Sequence, residues 1–364
     1  MIAAGCALAA AAFTMGAALG EGGTAPTLVA APGPERGLPP GQLAGQRIVI
    51  GFEGPTPPAS VRRMIRSGHA TGVVLFADNY AGRAGGRRMI RSLQSIPRPP
   101  GLRDRLLVLT DQEGGLVKRI DGAPAGSARE MAARGPAYSR RQGRRAAANL
   151  RDVGVNVNLA PVLDVARPGS ALTETAREWG HTPGRVAAGA IPFAVATQAA
   201  GVASAAKHFP GLGAVRGNTD IEMQQIRLSR RALRRIDEAP FRRFVDAGGM
   251  MVMLSAAVYP AFSPKPAVFA RPIVTGELRR RLGFRGVILT DALDTVSALE
   301  IGSPTAAGIA AARAGADLLL FTDDAAAEST RRALVRRLRD GSIDRAAFKG
   351  SVIRILRLRS RLAR

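Results

Sequence analysis

The chain has 364 residues, 46% of them hydrophobic, which excludes a disordered protein and leaves room for a large core. A formal net charge of +24 opens the possibility of a polyanionic partner. Aromatics at 4%, and the lack of any zinc-finger, RRM or basic-zipper pattern, speak against nucleic acid, and none is expected.

Residues 1–20, "MIAAGCALAAAAFTMGAALG", carry no charge and read as the apolar region of a secretory signal or a membrane anchor. They contain Cys6, the single cysteine, so no intrachain disulfide and no CxxC metal site exists. Residues 21–41 are rich in Gly, Pro and Ala and read as a linker. The folded part, 42–364, should begin near Gln42. The protein is therefore expected to be secreted or held on the outer face of the cell membrane, with 1–20 as its tether if retained. Its oligomeric state is not legible.

After the linker, short apolar runs alternate with helical patterns. The strand candidates are 47–52, 72–77, 106–111, 155–164, 202–209, 250–259, 286–291 and 316–321. Several are continuous runs of Val, Ile and Leu, the mark of parallel strands covered on both faces. Between them, 138–153, 184–200, 229–247 and 303–314 show a 3.6-residue period. A last helix is expected around 344–362, closing or covering the sheet. Eight strand–helix units predict a (β/α)8 barrel, a TIM barrel in one domain, with a doubly wound open sheet as the competing arrangement.

Such barrels place their chemistry at the C-terminal ends of the strands. There the sequence sets polar residues: Asp111 after the third run, Asp164 after the fourth, Lys207-His208 at the fifth and Asp291 at the seventh. An Asp after a strand often caps the next helix. Asp294 is better placed than Asp291 for that task. Lys207 is one of four lysines and His208 one of three histidines, adjacent in a chain that otherwise uses arginine. His69 and His181 fall on helical or loop stretches and read as surface or packing residues.

This set resembles glycoside hydrolase family 3, and within it the single-domain β-N-acetylglucosaminidases of cell-wall turnover. The segments are "LTDQEGGLVKRI", "NLAPVLDVA", "AREWG", "KHFPGLG" and "LGFRGVILTDAL", in the family's order. The resemblance implies a retaining β-N-acetylhexosaminidase acting on peptidoglycan fragments. Asp291 would be its nucleophile, and Asp111, Arg119, Arg177, Lys207 and His208 would hydrogen-bond the sugar. Planar and point donors from several strands suit a hydroxyl-rich ring. No metal and no organic cofactor is expected.

The match fails at one place. The resembled enzymes carry an Asp-Ser-His in the loop after Pro-Gly, whose His is the general acid/base. Here the loop reads "GLGAVRGNTDIEM": Leu212 sits where a His is common, Asp220 matches the Asp, and Glu222 stands where the His belongs. Either Glu222 or Asp220 serves as acid/base, or the barrel is a weakened, noncatalytic carbohydrate-binding relic. Glycines at 211, 213 and 217 would let the loop close and reopen.

Overall fold

The computed structural model describes residues 37–219, 221–295 and 301–363. All eight apolar runs are strands: β1 (Ile48–Ile50), β2 (Gly72–Leu75), β3 (Leu107–Thr110), β4 (Val157–Asn158), β5 (Ala203–Phe209), β6 (Met251–Leu254), β7 (Val287–Ala292) and β8 (Leu318–Phe321). They pair in sequence order, all parallel. β8 returns to β1 through Ile48↔Leu319 and Ile50↔Phe321, so the sheet closes. That closure decides for the barrel over the open sheet.

The period of two along each strand divides the core into two layers. Val49, Val74, Leu109, Met253, Leu289 and Leu320 pack inside the barrel. Ile48, Ile50, Leu75, Val108, Val252 and Ile288 face outward beneath the helices. The periodic segments form Pro136–Val153, Pro183–Ala199 and Pro304–Ala314. Gly143 lets the first two approach: a Cβ there would collide with the Phe193 carbonyl. The segment at 229–247 is interrupted. A π-helical turn, Leu233–Asp237, precedes Ala239–Asp246, where Pro240 offers no backbone N–H to continue one ladder.

The last helix, Arg345–Leu362, covers the N-terminal end of the barrel, with Ile355, Leu358 and Leu362 joining the interior cluster. Beside it Asp317, fully buried, accepts from the backbone N–H of Ile288 and from Arg279 and Arg354. Burial opposes its charge, but the two guanidiniums outweigh that and hold its pKa below the usual carboxylate range. Arg47, also buried, donates to the backbone oxygens of Ala316 and Asp317 across the β1–β8 seam. The described segment opens with a short helix at Pro40–Gly45. Among the described residues no helix is long and apolar enough to cross a membrane. Residues 1–36, which include the expected apolar segment, lie outside them.

Candidate active site

The third strand delivers the first cluster. Asp111 follows β3, and the chain then turns back in a hairpin of Gln112–Gly114 with Val117–Lys118. Gln112 fixes the hairpin. Its amide donates to the carbonyls of Ile120 and Ala123 and accepts from the N–H groups of Arg119 and Ile120. Asn158 on β4 pairs with the Gln112 backbone at both ends. Glu113 and Arg119 are thereby held on either side of Asp111.

Lys207, on β5 and 3% exposed, places its Nζ 2.6 Å from Asp111 Oδ1 and 2.7 Å from Glu113 Oε1. Arg177 grips Glu113 with both arms, at 2.9 and 2.7 Å. It arrives after Ala176, whose φ of +53° turns the chain sharply. Burial opposes the Glu113 charge, but Lys207 and Arg177 more than offset it and hold the carboxyl down at about 2. Burial likewise works against the charge on Lys207, and Asp111 and Glu113 raise its pKa above the ordinary lysine value. Both partners thus stay ionised. Arg119 stands 3.8 Å from Asp111, and its Nε is buried with no partner among the described residues, a donor left for a ligand.

Asp164, fully buried, organises the turn after β5. Its Oδ1 accepts from the backbone N–H groups of His208 and Leu212, at 3.0 and 2.7 Å. Its Oδ2 lies 2.8 Å from His208 Nδ1. The ionised Asp holds the proton on Nδ1 and leaves Nε2 for the cavity. The Lys207–His208 and Phe209–Pro210 peptides are cis. Beyond them Arg167 forks onto Asp237 at 2.6 and 2.7 Å, and the Tyr259 hydroxyl donates to the Gly211 carbonyl. A Cβ on Gly213 would collide with the Val165 carbonyl, so the two loops touch backbone to backbone.

Asp291 ends β7. Its Oδ1 accepts from the Ala292 N–H at 2.9 Å, leaving Oδ2 toward a cavity of about 710 Å³. Asp111, Arg119, Arg177, Lys207, His208 and Asp291 all line that cavity. Six of the eight residues singled out in the sequence thus converge at the C-terminal mouth of the barrel. Glu222 does not line it. Its carboxylate is exposed and accepts from Gln224 Nε2 at 2.6 Å, lying against Gly217, which does line the cavity. Asp220 lies outside the described residues. Asp294 does not take the capping task expected of it. It accepts from Thr322 and from the Asp323 N–H, tying the turn after β7 to the end of β8. His181 packs by its ring nitrogen on the Ala166 carbonyl. Among the described residues no group of His, Cys, Asp and Glu is placed to hold a metal ion.

With that geometry in view, residues 41–358 match the N-terminal domain model of glycosyl hydrolase family 3. The chain belongs to that family. It is a glycoside hydrolase. An uncharacterized secreted glycosyl hydrolase of Arthroderma benhamiae is 36% identical over 88% of this chain and 93% of its own. A solved β-N-acetylhexosaminidase from Beutenbergia cavernae superposes with a TM-score of 0.83 at 30% identity, over 89% of this chain and 99% of that one. A family 3 β-N-acetylglucosaminidase from Paenibacillus gives 0.84 at 30% identity, over 90% of this chain. The family 3 chain described here spans only 63% of that larger enzyme.

Sequence reasoning passed over Glu113 and left Asp164 without a task. Glu113 is two residues past Asp111, inside the same quoted motif, and its role exists only once the hairpin folds back on β5. Asp164 was visible as a polar residue at a strand end. What it holds, the backbone of a turn 44 and 48 positions away, was not.

Proposed function

We propose that this hydrolase removes terminal β-N-acetylglucosamine from peptidoglycan fragments, with retention of configuration. The observation that carries the reading is the convergence of Asp291 with the Asp111–Lys207–Glu113–Arg177 network in one cavity. A sugar seated there meets a carboxylate acceptor at Asp111 and donors at Lys207, Arg119 and Arg177, all prepositioned by their own ion pairs. His208 Nε2, its tautomer set by Asp164, adds an acceptor. Asp291 attacks the anomeric carbon and forms a glycosyl-enzyme, which water then opens. The leaving oxygen needs a proton, and the water later needs a base. Glu222 is the group assigned here, with Asp220 as the other carboxyl of the loop. Glu222 already lies against the cavity-lining Gly217, so a modest loop movement carries it to the rim.

We further infer that residues 1–20 are a secretion signal or anchor, that 21–41 are a linker, and that the barrel works outside the cytoplasm. The uncharged apolar run and the secreted fungal relative support this. Cell fractionation with an antibody to the barrel tests it. Cytoplasmic protein alone would overturn it.

The substrate is tested by following aryl β-glycosides of N-acetylglucosamine, glucose and xylose, with the product anomer read by NMR at early times. Turnover confined to the N-acetylglucosaminide with a β product is expected. An α product, or faster cleavage of the glucoside, would refute the assignment.

A further inference from the structure

The cavity has four cationic side chains, and three are engaged. Lys207 and Arg177 are held by Asp111 and Glu113, and Arg119 stands beside Asp111. The fourth is Arg216, on the loop after β5. It lines the cavity and is exposed, and among the described residues it makes no ion pair and no side-chain hydrogen bond.

Its backbone is nonetheless well anchored. Leu212 and Val215 beneath it are buried, and the Val215 carbonyl accepts from the Ala171 N–H, joining this loop to the one that leads to Arg177. The guanidinium lies over Gly169, with Nε and Cζ 3.7 and 4.0 Å from where a Cβ would stand. Gly169 has a φ of +76°, so both the turn and the space above it depend on the missing side chain. The result is a cation fixed at the rim, where the loops of β4 and β5 meet, with its donors unspent.

The floor of the cavity, made by Asp111, Lys207 and His208, takes the sugar that Asp291 attacks. The group beyond the scissile oxygen must therefore extend toward the rim. We propose that Arg216 is a specificity-determining residue that pairs with a carboxylate on the leaving sugar, so that the enzyme prefers glycans whose second residue is an acidic sugar. This rests on the hydrolase reading of the site above. A guanidinium offers two parallel N–H donors to a carboxylate, a geometry a lysine does not reproduce.

The test uses two disaccharides. In both, N-acetylglucosamine is β-linked to a sugar bearing a lactyl ether. In one the lactyl carboxylate is free, and in the other it is capped as an amide. The wild type should favour the acid by about tenfold in kcat/KM, the scale of one charge-assisted contact. Arg216→Gln should bring the ratio close to one, and Arg216→Lys should keep part of it. The wild-type preference should also shrink with added salt. Arg243→Gln, on an exposed helix face, removes the same charge elsewhere and should keep the wild-type ratio. Calorimetric binding of both disaccharides to the Asp291→Asn protein, with and without Arg216→Gln, reads the same preference without turnover. A protein that cleaves neither compound but binds the acid through Arg216 would overturn the proposed function and leave this inference standing. Equal acid preference with and without Arg216, in turnover and in binding, or an equal loss in Arg243→Gln, would overturn the inference.

Discussion

Glu113 carries two cations on one carboxylate at the centre of the site. Glu113→Gln leaves Lys207 and Arg177 buried with half their compensation, which should cost about 3–5 kcal/mol of stability, measured by urea unfolding. The same carboxyl ties stability to acid. Its folded pKa of about 2 lies below the ordinary glutamate value of about 4.3, so the unfolded chain takes up the proton first. Its contribution is whole above that ordinary value and drains away as pH falls toward 2. In Glu113→Gln the slope of unfolding free energy between roughly pH 4 and 2 should flatten. Asp291 carries chemistry instead. Asp291→Asn should lower turnover by about 10⁴–10⁶-fold while thermal melting is unchanged, and activity within tenfold of wild type would remove it as nucleophile. Glu222→Ala separates the two chemical steps. Substrates with poor leaving groups should suffer most, activated phenol glycosides less, and added azide should restore the second step, since that anion needs no general base. Wild-type rates on both substrate classes would move the search to Asp220.

At the level of elements, the strands were legible because burial on both faces wrote itself into unbroken apolar runs such as "VVL" and "LVL". The helices at 138–153 and 303–314 were legible from their period and end within two residues of expectation. The break before Pro240 was missed because a local π turn leaves the apolar spacing almost intact. Asp294 was misjudged because capping was read along the chain, whereas its partners, Thr322 and Asp323, come from the neighbouring strand. Half of the site suffers the same limit. Lys207 announces itself by rarity, but the carboxylate pair that receives it is assembled from a hairpin. Loop-to-loop contact is equally silent in sequence, and Gly213 is the place to test it. Gly213→Ala should drive a methyl group into the Val165 carbonyl at a cost of about 1–3 kcal/mol. Because that contact aligns the β4 and β5 loops, kcat/KM should drop while the far-UV dichroism stays that of the parent. An unaltered kcat/KM would show that the loops are positioned by other contacts.

Across the whole molecule, the two ends of the barrel divide the work. The C-terminal mouth carries Asp291 and the ionised clamp. The opposite end carries Asp317, Arg279, Arg354 and Arg47 under the last helix. Charge buried there serves the seam of the ring and touches no part of the cavity. Asp317→Ala should therefore cost about 3–5 kcal/mol, because it strands two guanidiniums and the Ile288 N–H. At a temperature where the variant is still folded, its kcat should equal that of the wild type. A matching loss of kcat would mean that the two ends are coupled through the strands.

The seam has a consequence in time. Arg47 reaches the carbonyl of Asp317, 270 positions later in the chain. During synthesis β1 emerges first, yet one of its edges has no neighbour until almost the whole barrel has been made. Every shorter intermediate therefore offers two open strand edges, those of β1 and of whichever strand came last, and such edges recruit other chains. Chains cut before Leu318 should collect as aggregates rather than as soluble part-barrels. The yield of active protein should then depend on how long the growing chain is kept from meeting copies of itself.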